Sequence, residues 1–263
     1  MMKERIIRTE VRSPQKMRVL HNIFETVYRL FERAGFPPYS SKGECKSEVK
    51  SVVSKEHKFV YIINPLCASR SLVRNLTSET IDGVKKKISK KEVKRLASSY
   101  FVFSIVRNPF ERLVSCYNKK ILSCDSIAKI LIIAQFKGLH PQMSFGKFAE
   151  WICSPRGRDE NADPHWMSQH KILTDRNGNL LTDYLGKLES LERHVNNISR
   201  KAGVYINIGN VASSYNMPVK PIYNNHYGYY SELGDEKIKQ VQKRYSTDFD
   251  IFGYNSILEK HEK

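Results

Sequence analysis

YFVFSIVRNPFERLVSCY, residues 100–117, decides the fold. Its first seven residues are a nearly unbroken apolar run of strand length, the pattern of a strand buried on both faces. Arg107-Asn108-Pro109 breaks the run, and PFERLVSCYNKKI then spaces its apolar residues as an amphipathic helix with Pro109 in the first turn. An earlier stretch repeats the pattern. KFVYIINP, residues 58–65, is a second buried strand, Cys67 to Ser71 is a small polar turn, and LVRNL follows with helical spacing. Two strand-turn-helix units predict an α/β domain with a parallel sheet flanked by helices.

Further elements follow outward. QKMRVLHNIFETVYRLFERA, residues 15–34, aligns Met17, Leu20, Phe24, Val27, Tyr28 and Phe31 on one stripe, and Gly35, Pro37 and Pro38 end the helix. Packing on the main domain is the simpler reading of that stripe, and contact with a membrane surface or a second copy is the less favoured one. Residues 39–57 read as a polar connector, so the chain divides into an N-terminal helix and connector, 1–57, and a main domain, 58–263. VKKKISKKEVKRL carries a basic face (Lys85, Lys86, Lys87, Lys90, Lys91, Lys94, Arg95) that is either a solvated helix face or a polyanion patch. SIAKILIIAQF, SFGKFAEWIC, SLERHVNNISRKAG and DEKIKQVQKR read as helices, LTDYLGKLE as a strand and turn, and the chain closes on an aromatic tail. Residues 124–142 either shape a ligand pocket or belong to the core.

The formal charge of +17 concentrates anionic ligands near the chain without choosing among them. Five cysteines without a C-x-x-C pair fit a reducing compartment, and no apolar run reaches the length of a membrane span, so the expectation is a cytoplasmic protein unless an anchor has been trimmed. No G-x-x-x-x-G-K-[ST], G-x-G-x-x-G or H-E-x-x-H string occurs, which argues against ATPase-type kinases, dehydrogenases and zinc hydrolases.

Both turns stand where an open α/β sheet binds ligands, beyond the carboxyl ends of its strands and at helix starts that present free amides to anions. The first, Pro65 to Leu72, offers small residues, the hydroxyls of Ser69 and Ser71, and the Arg70 guanidinium. The second offers Arg107 and, further into the helix, Arg112 and Ser115.

RNPFERLVSCY resembles the 3′-phosphate motif of sulfotransferases, R-[DN]-P-x-x-R-[LM]-x-S-x-[YF], at Arg107, Pro109, Arg112, Ser115 and Tyr117. YIINPLCASRSLVRNL resembles the 5′-phosphosulfate loop of the Golgi carbohydrate sulfotransferases and their bacterial relatives. DPHWMSQHKI, DYLGKLESLERHV and the ending YYSELGDEKIKQVQKRYSTDFDIFGY resemble that family's later segments, in the right order over residues 59–254. The resemblance implies a fold similar to nucleotide kinases and a metal-free site for 3′-phosphoadenosine 5′-phosphosulfate (PAPS). Arg107 and Ser115 would hold its 3′-phosphate, and Cys67, Ala68, Ser69, Arg70 and Ser71 would wrap the phosphosulfate. His165 would serve as base toward a hydroxyl acceptor, a carbohydrate or similar molecule. Asp163 and Gln169 would orient that base or the acceptor, and Glu189 would anchor a turn.

One departure stands out. Leu66 occupies the position where the family's loop usually has a lysine, and losing such a donor typically costs about 10² to 10³ in rate. Three readings stay open: an enzyme with a substituted cation, a sulfotransferase of unusual acceptor, and a donor-binding protein without turnover. A basic polyanion-binding protein for glycan or nucleic acid is the rival from another class, although no nucleic-acid module is recognisable and no specific nucleic acid is expected.

Overall fold

The computed structural model describes residues 14–35, 47–123, 126–207, 209 and 226–258; Pro37, Pro38, Cys45 and Cys124 lie outside them. The described chain forms two compact units.

The smaller unit contains helix α1, Pro14–Ala34, and the segment 118–143. Leu20, Phe24 and Tyr28 of the expected stripe are buried, and α1 packs on the helix Ile127–Ala134. Phe24 and Tyr28 enclose the His140 ring at centroid distances of 5.2 and 4.9 Å, and the Tyr28 hydroxyl accepts the Gly138 amide. Ile130, Ile133, Ala134, Phe136 and Leu139 are buried, so this stretch supplies core, one of its two expected roles.

The larger unit is built on a five-stranded sheet in the order β3-β1-β2-β4-β5, with β1 Glu48–Ser54, β2 Phe59–Ile62, β3 Val84–Ser89, β4 Phe101–Val106 and β5 Tyr184–Lys187. β2, β4 and β5 are parallel, whereas β1 runs antiparallel to both of its neighbours. The expected α/β fold is present, with two corrections. Residues 48–54 are not connector but strand. Their polarity hides it, because Ser51 and Ser54 are buried and find partners there, Ser51 Oγ meeting the Lys86 carbonyl at 3.5 Å and Ser54 Oγ meeting the Asp82 carboxylate. The basic run is not one helix but edge strand β3 followed by the short helix α3, Lys90–Leu96, started by the Ser89 cap on the Glu92 amide. Lysines on an edge strand discourage pairing with another chain. Within the run Lys90 is not solvated: its ammonium donates to the carbonyls of Lys171 and Thr174 at 2.7 and 2.8 Å.

Helix α2, Ser69–Leu76, follows β2, and helix α4, Pro109–Cys116, follows β4 and continues as a π-helical stretch, Tyr117–Leu122. Helix α6 spans Phe145–Cys153, α7 Gln169–Leu173, α8 Leu191–Ala202, α9 His226–Ser231, α10 Asp235–Arg244 and α11 Ser246–Phe252; with α5 the Ile127–Ala134 helix of the smaller unit, the aromatic tail is therefore largely helical. Leu72 and Leu76 of α2 with Val195, Ile198 and Ala202 of α8 pack on Val52, Tyr61, Phe103 and Ile105 of the sheet. Gly186 permits that approach, since a Cβ there would lie 2.5 Å from Ile105 Cδ1 and 2.8 Å from His194 Cβ. No helix among the described residues is long and apolar enough to cross a membrane.

Strand order determines where a ligand fits. From β2 the chain leaves through α2 toward β3 on one side, and from β4 it leaves toward β5 on the other. The carboxyl ends of β2 and β4 therefore diverge at a topological switch point, the usual ligand crevice of such sheets.

Candidate active site

Both candidate turns lie at that crevice. In the first, Leu66 and Ala68 take left-handed backbone angles, φ 70° and 54°. A left-handed conformation at a residue with a Cβ costs roughly 1–2 kcal/mol, so packing must hold it. Leu66, Cys67 and Ala68 are all buried. Ser69 and Ser71 are buried as well, and Arg70 is the exposed side chain of the turn. Ala68 is the cap residue of α2 and gives no side-chain hydrogen bond to it, so the first amides of α2 are available to an anion. Burial pushes the Cys67 thiol up to about 12, against the pull of Arg112 and Arg107. The thiol contacts Gln169 Oε1 at 3.4 Å, so the sulfur is already engaged within the protein.

In the second turn Asn108 caps α4 by accepting the Phe110 amide, and Pro109 occupies the first helical turn. Arg107 and Glu111 pair at 3.3 Å through two guanidinium nitrogens, and Ser115 is half-buried one turn beyond Glu111. The two arginines of the motif differ in kind. Arg107 keeps a fifth of its side chain exposed, whereas Arg112 is buried and spends its guanidinium on three carbonyls: Pro65 at 3.2 Å, Met167 at 2.7 Å and Pro164 at 2.9 Å. Arg112 thereby fastens the first turn to the segment that carries His165.

That segment is braced on every side. His165 Nδ1 lies 2.5 Å from Asp163 Oδ1, which also accepts the His165 amide. An Nδ1–H facing a carboxylate leaves the lone pair of neutral imidazole on Nε2. Tyr245 donates to the Trp166 carbonyl, Arg244 donates to Ser168 Oγ and to Asp159, and Asp248 accepts the Gln169 and His170 amides as a buried cap on α7. Burial alone would raise Asp159; the Arg244 guanidinium and the Ser168 amide hold it below the ordinary carboxylate value.

Asn64, Gln169 and Glu189 complete the crevice from behind. Glu189 accepts the Asn108 amide at 2.6 Å and the Tyr254 hydroxyl at 2.9 Å, so it anchors the second turn; burial raises its carboxyl above the usual range. Gln169 bonds both turns. Its place in the H-W-x-x-Q segment marked it as an orienting residue, but nothing in the linear sequence pairs it with Asn64, 105 positions away.

A phosphosulfate nucleotide fits this chemistry. One turn offers helix amides and hydroxyls, the other a guanidinium and a hydroxyl, and both suit phosphate oxygens. Among the described residues, Glu56, His57 and Asp82 offer metal-type ligand atoms within 4.8 Å of one another. They lie at the β1–β2 turn, the opposite end of β2 from the crevice, and Asp82 already serves the Ser54 hydroxyl and the amides of Lys55 and Glu56.

A model of the sulfotransferase family matches residues 49–255, from β1 to just past α11. The chain belongs to that family. It is 26% identical over 180 residues to carbohydrate sulfotransferase 11 of Rattus norvegicus, covering 62% of this chain and 49% of the relative. It is 27% identical over 189 residues to carbohydrate sulfotransferase 10 of Xenopus laevis, 63% of this chain and 50% of that one. Carbohydrate sulfotransferase 14 of Danio rerio is 22% identical over 233 residues, 77% of this chain and 61% of the relative. The chain thus spans about half the length of the first two. No solved structure matches significantly.

Proposed function

We propose that this chain moves a sulfuryl group from PAPS to a hydroxyl of a carbohydrate. Membership of the sulfotransferase family supports the reaction class, and the relatives' names support the acceptor class. The observation that carries the reading is the Arg112 guanidinium, which joins Pro65 of one turn to Pro164 and Met167 around His165 and so sets the candidate base beside the donor crevice.

The donor supplies the sulfuryl group and leaves as adenosine 3′,5′-bisphosphate. Arg107 and Ser115 bind the 3′-phosphate; the amides of Cys67 to Ser71, with the two serine hydroxyls and Arg70, bind the phosphosulfate. Fixed donors at the oxygen that gains charge favour the transition state over the ground state. His165 Nε2 takes the proton of the acceptor hydroxyl, while Asp163 holds Nδ1–H and stabilises the imidazolium that forms.

The test is a calorimetric titration with adenosine 3′,5′-bisphosphate, with 5′-AMP and a short RNA as controls. Saturable binding that needs the 3′-phosphate is expected, and Arg107→Ala should weaken it by roughly 30- to 150-fold, the loss of about 2–3 kcal/mol of charge-assisted bonding. Binding to RNA alone, steeply weakened by salt, would favour the polyanion-binding class instead.

Leu66 favours a second reading, a donor-binding member without turnover. Its side chain is buried, so the position offers no cation to the leaving phosphate, and the exposed Arg70 is the nearest substitute in sequence. Sulfuryl transfer from radiolabelled PAPS to a panel of glycans separates the two, with Arg70→Ala abolishing any transfer if Arg70 replaces the lysine.

A further inference from the structure

We propose that the Gln169 side chain is a strut that fixes the separation of the two phosphate-binding turns, which makes it a positioning residue for the donor. The inference rests on the donor-site reading above. β2 and β4 pair from Phe59↔Phe101 to Tyr61↔Phe103, and the register stops there. The switch point requires that divergence, because a continuing ladder would close the crevice. Beyond it, other contacts must set how far apart the turns stand.

Gln169 does this with one carboxamide. Its Nε2 donates to the Arg107 carbonyl at 2.8 Å and its Oε1 accepts the Arg107 amide at 3.0 Å, which copies the two-bond pattern of a ladder rung. The same Oε1 accepts Asn64 Nδ2 at 2.9 Å, and Asn64 Nδ2 also reaches the Ile105 carbonyl at 3.0 Å. One fully buried amide therefore stands between the end of β2 and the end of β4 as an inserted rung. Full burial confines the side chain, and its backbone N–H is held by Asp248 at 2.7 Å. Arg112 grips the first turn at Pro65 and Glu189 grips the second at Asn108; Gln169 grips both.

A ligand with a phosphate at each end gains affinity from the second contact only as far as the two anchors stand at its own span. Loss of the strut should leave each turn able to take a phosphate yet lose the advantage of taking two. A residue that merely supported the fold would weaken all ligands together.

The experiment titrates the full chain and its Gln169→Leu and Gln169→Glu variants with adenosine 3′,5′-bisphosphate, adenosine 5′-monophosphate and adenosine 3′-monophosphate, after circular dichroism establishes that each is folded. In the parent the bisphosphate is expected to bind more tightly than either monophosphate. Gln169→Leu is expected to cut that advantage by about tenfold or more while the monophosphate affinities stay within about threefold. Gln169→Glu keeps the size and the acceptor oxygen but loses the Nε2 donor, so a smaller cut of about three- to tenfold is expected, and this variant carries the comparison if the leucine does not fold. An advantage unchanged in a folded variant, or lost in equal proportion with monophosphate binding, overturns the strut. A parent that shows no preference for the bisphosphate overturns the donor-site reading itself, and the two failures are separate readouts.

Discussion

The two turns at the crevice lean on different supports. The first leans chiefly on its own buried side chains, with Arg112 on Pro65 and Gln169 on Asn64 as outside grips: Leu66, Cys67 and Ala68 are buried, and Cys67, Ala68, Leu72 and Leu76 belong to the same apolar cluster as Tyr61 and Phe103. The second is fixed from elsewhere, by Gln169 and Glu189, which reach back 62 and 81 positions to the Arg107 and Asn108 amides. A turn whose own side chains are buried draws much of its support from apolar packing. A turn held by distant carboxamide and carboxylate groups exists only once the whole unit has folded.

The sharpest way to break this comparison lies within one motif. Arg107 and Arg112 both match the same pattern, yet Arg107 keeps part of its side chain exposed whereas Arg112 is a buried fastener. Arg112→Leu would leave three carbonyls without their donor in a buried place, a loss of about 3–5 kcal/mol in urea denaturation. Arg107→Ala should cost under about 1 kcal/mol of stability because its pair with Glu111 is partly exposed. Equal destabilisation by both would mean that Arg107 is structural as well.

Next in size is the brace behind His165. Arg244 and Asp159 meet at 2.6 Å with side chains only 10% and 13% exposed, and removing one partner strands the other. Arg244→Met is expected to cost about 3 kcal/mol at pH 7. The pH dependence follows from the direction of the shift. Asp159 is depressed below 3.8 when folded, so the pair's contribution is complete above the unfolded value and fades as pH falls through the lower folded one. In the variant, burial acts on Asp159 without its counter-ion. The gap between parent and variant in urea midpoint should therefore be wide at pH 7 and narrow below about pH 3.8; a gap that stays constant would show that the ion pair is not its source.

Legibility in the sequence follows the same division. Both turns, both helices that follow them and the strands before them can be read from short runs, since each is a local change from apolar run to polar break to helical spacing. Glu189 was legible as an anchor only through the segment it belongs to. Asp248 on the Gln169 and His170 amides, Tyr254 on Glu189 and Arg244 on Asp159 were not legible, because single polar residues dozens of positions apart leave no periodic trace. β1 escaped for a related reason. A strand whose hydroxyls are satisfied inside the sheet looks like solvent-facing chain, and the alternation that would mark it is absent from its burial. The basic run misled in turn, since lysines at an exposed edge strand and lysines on a helix face share one composition.

The smallest expected effect tests the first turn. At Ala68, with φ 54° and a buried methyl, two substitutions pull apart what the side chain and the backbone each contribute. Ala68→Val places a β-branched side chain in a left-handed conformation and in a packed core, and should cost about 2 kcal/mol. Ala68→Gly relieves the left-handed backbone by roughly 1 kcal/mol but gives up about as much through the lost methyl and a looser unfolded chain, so its net change should stay within about 0.5 kcal/mol. If the main chain is what meets the phosphosulfate, the glycine variant binds adenosine 3′,5′-bisphosphate as the parent does. A glycine variant of parental stability that binds ten times more weakly would mean that the turn needs its strain, and that the first turn is held less firmly by its own buried side chains than the second is by its distant partners.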